Sequence, residues 1–87
     1  MKEGLKIKSV EHLIELLEES EEGVGEFYIL LNGSLRSSKF ISYDGEIFYL
    51  LDLMTSTEEE LTLKELLDPN ITNFKEAIDK GALYAYN

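Results

Sequence analysis

The chain has 87 residues and a mass of 10.0 kDa, which is the size of one domain, and we expect a single domain spanning residues 1–87. A hydrophobic content of 44% is typical of a globular protein and argues against a disordered chain. Eighteen acidic residues against eight basic ones give a net charge of −10, which argues against nucleic acid as a direct ligand, because phosphate binding depends on Lys and Arg. The sequence contains no Cys, which excludes disulfides and thiolate zinc sites.

The sequence carries no signal for a membrane or for secretion. No segment approaches the ~20 consecutive apolar residues of a membrane span. The opening Met1–Gly4 lacks the apolar core of a signal peptide. We therefore expect a cytoplasmic protein without a membrane partner.

The first predicted element is an amphipathic helix from Val10 to about Glu19, preceded by Lys6–Lys8 as a short strand or extended lead-in. Ser9 is placed to cap this helix, because a serine oxygen accepts a hydrogen bond from the first helical turn. Apolar residues recur at helical spacing along one side, and they are Val10, Leu13, Ile14 and Leu17. The opposite side is acidic and comprises Glu11, Glu15, Glu18 and, if the helix reaches it, Glu22.

Three β-rich segments follow the helix: Glu26–Leu31, Leu35–Tyr43 and Glu46–Leu53. The dipeptides between them, Asn32-Gly33 and Asp44-Gly45, are strong hairpin signals, because type I′ turns need positive φ at both central residues. If each dipeptide is a two-residue loop, Glu26 lies opposite Lys39. The same rule places Ile41 opposite Phe48 in the second hairpin.

This register divides the strand residues between two faces of the sheet, since successive side chains alternate. One face is the predicted core: Phe27, Ile29, Leu31, Phe40, Ile47, Tyr49, Leu51 and Leu53. The other face is mixed: Glu26, Tyr28, Leu30, Ser37, Lys39, Ile41, Tyr43, Phe48, Leu50 and Asp52. Arg36 and Ser38 conflict with the core assignment, and a bulge within Leu35–Lys39 or fraying of the sheet end would explain them.

The last third of the chain predicts a strand, two short helices and a closing strand. In order they are Glu58–Leu61, a helix through Leu67, a helix from about Asn73 to Lys80, and Ala82–Tyr86. Thr62 and Glu65 fit a capping box, Pro69 marks the break between the helices, and Gly81 fits a helix C-terminus. The predicted fold is α+β: an antiparallel meander of three to five strands with an N-terminal amphipathic helix and two short C-terminal helices.

Two surfaces are candidate sites. The mixed face is either covered by a helix as a second core layer or exposed to a protein partner or a second copy of the chain. In the exposed case we expect the partner to contact Tyr28, Lys39, Ile41, Phe48, Leu50 and Asp52. The second surface is the acidic face of Glu11, Glu15, Glu18 and Glu22. It is either a solvated helix side or a mimic of nucleic-acid phosphates. With Glu19 and Glu21 added there are six acids over residues 11–22, about one charge per 3 Å at helical rise, against ~1.7 Å in duplex DNA.

Groups for catalysis or for cofactor and metal binding are scarce. His12 is the one histidine, which is too little imidazole for a metal site. Asp52 is the one acid–base candidate, and a cross-strand polar cluster with Ser37 and Lys39 explains it more simply. A calcium loop that starts at Asp52 has unsuitable residues at its diagnostic positions, although a loose divalent-cation site near Glu58–Glu60 stays open. We expect no cofactor, no specific small molecule and no enzymatic activity.

Three stretches carry a resemblance, and they are Asn32–Lys39, Leu61–Leu66 and Asn73–Leu83. Together they resemble small uncharacterised bacterial and prophage-borne proteins. The resemblance implies a bacterial or mobile-element setting and assigns no residue a role.

The first functional hypothesis is a small acidic binding or regulatory domain that acts through protein–protein contacts. The alternative is a nucleic-acid-mimicking inhibitor of the anti-restriction or anti-CRISPR type. An enzyme is the third hypothesis, and the sequence disfavours it.

Overall fold

The structure is a computed structural model that describes residues 4–86. The opening Met1–Glu3, where we expect no signal peptide, and Asn87 lie outside the described residues. The elements in chain order are β1 Leu5–Lys6, α1 Val10–Glu19, β2 Val24–Leu31, β3 Ser34–Tyr43, β4 Ile47–Asp52, β5 Glu58–Thr62, α2 Leu63–Leu66, α3 Phe74–Asp79 and β6 Leu83–Ala85. The predicted α+β class is confirmed.

The strands form one antiparallel sheet in the order β1-β6-β2-β3-β4-β5. Strands β2 to β5 are the predicted meander. The described residues form six strands, more than the predicted three to five, because the predicted lead-in at Lys6–Lys8 is a strand, placed at Leu5–Lys6, that pairs with β6. Strand β6 in turn inserts between β1 and β2. Local patterning could not show this pairing, since β1 has two residues and is held by β6 through Leu5 opposite Ala85 and Lys6 opposite Tyr84.

Helix α1 has the predicted boundaries and cap. The Ser9 hydroxyl accepts a hydrogen bond from the His12 N–H at 3.1 Å, which satisfies one of the free donors at the helix start. Leu13 and Leu17 are buried on the side of α1 that faces the sheet. The helix ends at Glu19, so Glu22 lies beyond it and is not part of the helical row.

The first hairpin has the predicted turn but a different register. Asn32 and Gly33 have φ of 52° and 77°, as a type I′ turn requires. The ladder then shifts between Ile29 and Leu30, so that Arg36 has no position opposite a residue of β2. This irregularity is a bulge, which is one of the two explanations that the sequence left open for Arg36 and Ser38; the other was fraying of the sheet end. The predicted pairing of Glu26 with Lys39 is wrong, because the extra residue moves Phe40 opposite Glu26.

The second hairpin is offset from its predicted register by two positions. Asp44 causes this offset, because its carboxylate accepts hydrogen bonds from the N–H groups of Glu46 at 2.9 Å and Ile47 at 2.8 Å. The Asp44 N–H also donates to the Ile47 carbonyl, which places the two-residue loop at Gly45-Glu46. Ile41 therefore lies opposite Leu50, and the predicted pairing of Ile41 with Phe48 is wrong.

These two registers decide which side chains share a face. A one-residue bulge turns the side chains of β3 and β4 over relative to those of β2. The face toward the helices, called the helix-covered face, carries Phe27, Ile29, Ser37, Lys39, Ile41, Tyr43, Phe48, Leu50, Asp52 and Leu61. The opposite face, called the open face, carries Glu26, Tyr28, Leu30, Ser38, Phe40, Ser42, Tyr49, Leu51, Glu58, Glu60 and Tyr84. Our prediction that Phe27 and Ile29 share a face with Ile47 and Tyr49 is wrong.

The C-terminal helices complete one core. Thr62 and Glu65 form the predicted capping box, with reciprocal hydrogen bonds of 2.9 and 3.2 Å. Gly81 has the positive φ, 65°, that a residue just past a helix end commonly needs. The core joins the helices to the helix-covered face, and its buried residues include Leu13, Leu17, Leu66, Phe74 and Ala77 against Phe27, Ile29, Ile41, Phe48 and Leu50.

Candidate interaction surface

The predicted partner-binding surface is largely internal. Ile41 and Phe48 are 0% exposed and Leu50 is 3% exposed, because they lie under the helices on the helix-covered face. The expectation that these three side chains meet a partner is therefore corrected: they are core residues. Tyr28 lies on the opposite face, so the six predicted residues do not form one surface.

Lys39 and Asp52 lie opposite each other on β3 and β4 and form a half-buried ion pair, with 3.4 Å between Lys39 Nζ and Asp52 Oδ2. The other carboxylate oxygen of Asp52 accepts hydrogen bonds from the N–H groups of Met54 at 2.8 Å and Thr55 at 3.1 Å. The bond from Met54, with smaller contributions from Thr55 and Lys39, holds the pKa of Asp52 below its usual value against the opposing effect of burial. These contacts give Asp52 a structural role, because they fix the start of the loop between β4 and β5.

Tyr28 belongs to an aromatic cluster at the β6 end of the open face. Its ring stacks on Tyr84, with centroids 5.3 Å apart, and is tilted against Tyr86 at 4.5 Å. Stacked and tilted aromatic pairs at these separations are favourable beyond the area they bury. The cluster gives the open face a rigid aromatic end.

The other end of the open face holds a groove, called the open-face groove, bounded by Val24, Phe40, Tyr49 and Leu51 and by Glu58 and Glu60 of β5. Its volume is ≈ 240 Å³. Val24 on β2 and Phe40 on β3 are each 39% exposed, and Tyr49 on β4 is 41% exposed. All three strands are interior strands of the sheet. Large apolar side chains that are exposed next to one another often mark an interaction surface, whereas single exposed apolar residues are common on any protein.

Tyr49 is held in place by the turn that precedes it. Its hydroxyl donates a hydrogen bond to Asp44 Oδ2 at 3.0 Å. Hydrogen bonds from the Ile47 and Glu46 N–H groups, and then from Tyr49, lower the pKa of Asp44. The hydrogen bond between the Tyr49 hydroxyl and Asp44 also raises the pKa of the Tyr49 phenol. The ring is thus presented in one orientation, with its hydroxyl engaged at the edge of the groove.

Carboxylates adjoin the apolar residues of the groove. Glu60 lies directly opposite Tyr49, Glu58 lies opposite Leu51, and Glu26 lies opposite Phe40. The ion pairs within residues 4–86 are Lys39–Asp52, Lys75–Asp79 and Lys80–Glu76. Glu58 and Glu60, which line the groove, and Glu26 beside Phe40 therefore have no basic partner in the described part of the chain, and the groove is apolar with a negative border on the β5 side.

The acidic face of α1 is exposed as predicted. Glu11, Glu15 and Glu18 are all exposed along the side of the helix that faces away from the sheet, and Glu22 is exposed in the turn after it. The last turn of α1 contains no basic residue. This side of the molecule is therefore a second concentration of negative charge, separate from the groove.

The described residues do not assemble a metal or catalytic constellation. Between Gly4 and Tyr86, no group of three or more His, Asp or Glu side chains is arranged to hold a metal ion. His12 Nδ1 accepts a hydrogen bond from the Lys8 N–H at 3.2 Å, so the one histidine closes the turn before α1. No helix in this part of the chain is long and apolar enough to cross a bilayer. The absence of enzymatic activity stays a prediction.

Sequence reasoning missed the open-face groove because it assigned Phe40, Tyr49 and Leu51 to the core. The predicted alternation of side chains within each strand was correct. The bulge, however, turns the faces of β3 and β4 over relative to β2, so the residues grouped on one predicted face lie on two faces. The polar residues Arg36 and Ser38 on the predicted core face were the available signal. Accepting the bulge from the start would have placed Phe40 and Tyr49 on the uncovered side.

The chain matches no family model, no curated protein and no solved structure. The resemblance to small bacterial and prophage-borne proteins therefore stays untested, and the function rests on the geometry of the chain itself.

Proposed function

We propose that this protein is a small acidic, non-enzymatic binding or regulatory domain that acts through protein–protein contacts on the open face of its sheet. The observation that carries the proposal is the position of Phe40 and Tyr49. Both are large aromatic side chains in the interior of a six-stranded sheet, and both are about two-fifths exposed. A monomer gains nothing in stability from aromatic surface left in water, so a partner that covers it accounts for its presence.

The organisation of the open face supports the same proposal. Aromatic residues are enriched in the central part of protein interfaces, where they provide contact area at a low cost in side-chain entropy. The Tyr49 hydroxyl is hydrogen-bonded to Asp44, and the Tyr28 ring is stacked on Tyr84 and tilted against Tyr86. Side chains that are already ordered lose less freedom when a partner binds.

A matched pair of variants tests this proposal. Phe40→Ser removes an aromatic ring from the open-face groove, and Ile71→Ser removes a side chain that is 50% exposed in the loop before α3. Proteins captured from an extract of the native host are compared for the wild type and both variants, after the melting temperatures show that all three fold. We expect Phe40→Ser to lose a partner that Ile71→Ser retains. Unchanged capture by Phe40→Ser contradicts the proposal.

The exposed acidic face of α1 favours one second candidate, a nucleic-acid mimic that blocks a basic groove on its target. In that case the contact depends on Glu11, Glu15 and Glu18, and capture is lost when these residues are replaced by Gln while Phe40→Ser has no effect. The dependence of binding on salt concentration also distinguishes the two candidate functions. A contact made by the acidic face weakens strongly as ionic strength rises, whereas an apolar contact on the open face persists.

A further inference from the structure

We infer that the open-face groove receives an arginine-bearing segment of a partner protein, with the guanidinium between the aromatic rings and the carboxylates of β5. This inference rests on the proposed function and names the chemistry of the partner. It is argued from the charge and the shape of the groove.

The groove combines the two kinds of group that hold a guanidinium. Tyr49 and Phe40 offer aromatic faces, on which a planar cation stacks favourably. Glu60 is directly opposite Tyr49, and side chains at such positions have Cβ atoms about 4.5–5.5 Å apart. A carboxylate beside an aromatic ring can pair with the edge of a guanidinium while the ring contacts its flat side.

The charges of the groove have no counterpart within the described chain. Glu58 and Glu60 line the groove and Glu26 lies opposite Phe40 on β2. None of the three takes part in an ion pair within residues 4–86. Glu58 and Glu60 are two residues apart on one face of β5, so their charges repel one another, and a cation from outside removes that repulsion when it binds. The apolar members Val24 and Leu51 suit the aliphatic stem of an arginine or its apolar neighbours.

A second copy of this chain is a poorer occupant than a basic segment. Each copy carries a net charge of −10. On the open face the paired strand positions supply Glu26, Glu58 and Glu60 against one cation, Lys6 at the far strand β1. A symmetric contact through this face would bring the carboxylates of both copies together, which opposes association.

The probe for the test is a short synthetic peptide in which arginine alternates with leucine, compared with the same peptide carrying neutral citrulline for arginine. The groove variant is Glu58→Gln with Glu60→Gln. The control variant is Glu11→Gln with Glu15→Gln, which makes the same change of two charges on α1. Binding is measured by titration calorimetry, and amide chemical shifts in NMR spectra locate the site.

We expect the arginine peptide to shift the amides around Phe40 and Tyr49, and the citrulline peptide to bind far more weakly. The groove variant should lose on the order of tenfold in affinity, as two carboxylates at the upper end of surface ion-pair strength would give. The control variant should change affinity by less than about twofold, because its charges lie outside the contact. Melting temperatures check that all variants are folded.

Four results overturn the inference. Equal weakening by both double variants means that only the net charge attracts the peptide, and shifts that map outside the groove place the site elsewhere. A wild type that dimerises through Phe40 makes a second copy the occupant. If Phe40→Ser abolishes capture of a natural partner while the arginine peptide fails to bind, the proposed function stands and this inference falls.

Discussion

Phe48 and Tyr49 are neighbours in the chain and have opposite surroundings. Phe48 is 0% exposed beneath the helices and its ring stacks on Tyr43 at 4.1 Å, whereas Tyr49 is 41% exposed on the open face. Both are aromatic residues of β4, so composition does not distinguish them. Their different roles follow from which face of the strand each side chain occupies.

Alanine at each of these positions should therefore have very different effects. Phe48→Ala leaves a cavity in the core, and we expect a loss of about 3–5 kcal/mol in the free energy of unfolding. Tyr49→Ala removes a half-exposed ring and its hydrogen bond to Asp44, and we expect a loss of about 1 kcal/mol or less. Urea denaturation of both variants measures the difference. Comparable losses at the two positions would show that the faces are assigned incorrectly.

At the scale of the element, the β4–β5 hairpin depends on one carboxylate. Asp52 closes the loop by accepting the N–H groups of Met54 and Thr55, and its own carbonyl accepts the Ser56 N–H at 2.8 Å. Ser56 has a φ of 61°, which is an unfavourable region for a residue other than glycine. The hydrogen bonds of Asp52 hold the loop in this conformation, and the loop in turn aligns β5 with the groove.

Because these hydrogen bonds need an ionised Asp52, their contribution to the free energy of unfolding depends on pH. The pKa of Asp52 is lower in the folded chain than the usual value of an aspartate, about 3.9, so the ionised carboxylate stabilises the fold above about pH 4. That contribution is lost as the pH falls through the folded-state pKa. We expect the melting temperature of the wild type to exceed that of Asp52→Asn at neutral pH, and the difference to shrink below about pH 4.

Thermal unfolding of both proteins over this pH range measures the effect. The control is Asp79→Asn, since Asp79 is 61% exposed and pairs with Lys75 only at the surface. We expect this control to match the wild type closely at every pH, because exposed ion pairs contribute little. A gap between wild type and Asp52→Asn that persists undiminished in acid would contradict the assignment of the loop to the ionised carboxylate.

At the scale of the whole molecule, the charge is large for the size of the chain. A formal charge of −10 is carried by a body of 32 × 31 × 25 Å, and two of the three ion pairs in residues 4–86 are exposed pairs within α3 or between α3 and Lys80 just after it. The acidic face of α1 and the border of the open-face groove lie on different sides of this body. Repulsion between carboxylates therefore acts across the fold and opposes its compact state.

Salt should consequently stabilise this protein. Raising the ionic strength from about 0.01 M to 1 M shortens the Debye length from about 30 Å to 3 Å, which screens repulsion throughout the molecule. We expect the melting temperature to rise over this range of sodium chloride. Replacing Glu11, Glu15 and Glu18 by Gln should reduce the rise without unfolding α1, because like charges at helical spacing are removed. A melting temperature that falls with salt would mean that attractive ion pairs dominate.

The sequence by itself determined the local elements of this protein. The cap at Ser9, the limits of α1, the Asn32-Gly33 turn and the capping box at Thr62 all follow from interactions within a few residues, and all are confirmed. The alternation within each strand was also readable, because it needs only the period of two. The exposure of the acidic face of α1 followed from helical periodicity in the same way.

Only the tertiary structure decided how the strands relate to one another. The bulge at Arg36 and the hydrogen bonds of Asp44 moved both hairpin registers. The offset of two at Asp44 keeps the faces, whereas the single extra residue at Arg36 exchanges the faces of β3 and β4 relative to β2. The insertion of β6 between β1 and β2 joins distant parts of the chain, and no local pattern encodes that. For this reason Ile41 and Phe48 became core while Phe40 and Tyr49 became the candidate surface: a face is a property of paired strands, and the extra residue that decides it is defined only once β2 and β3 are paired.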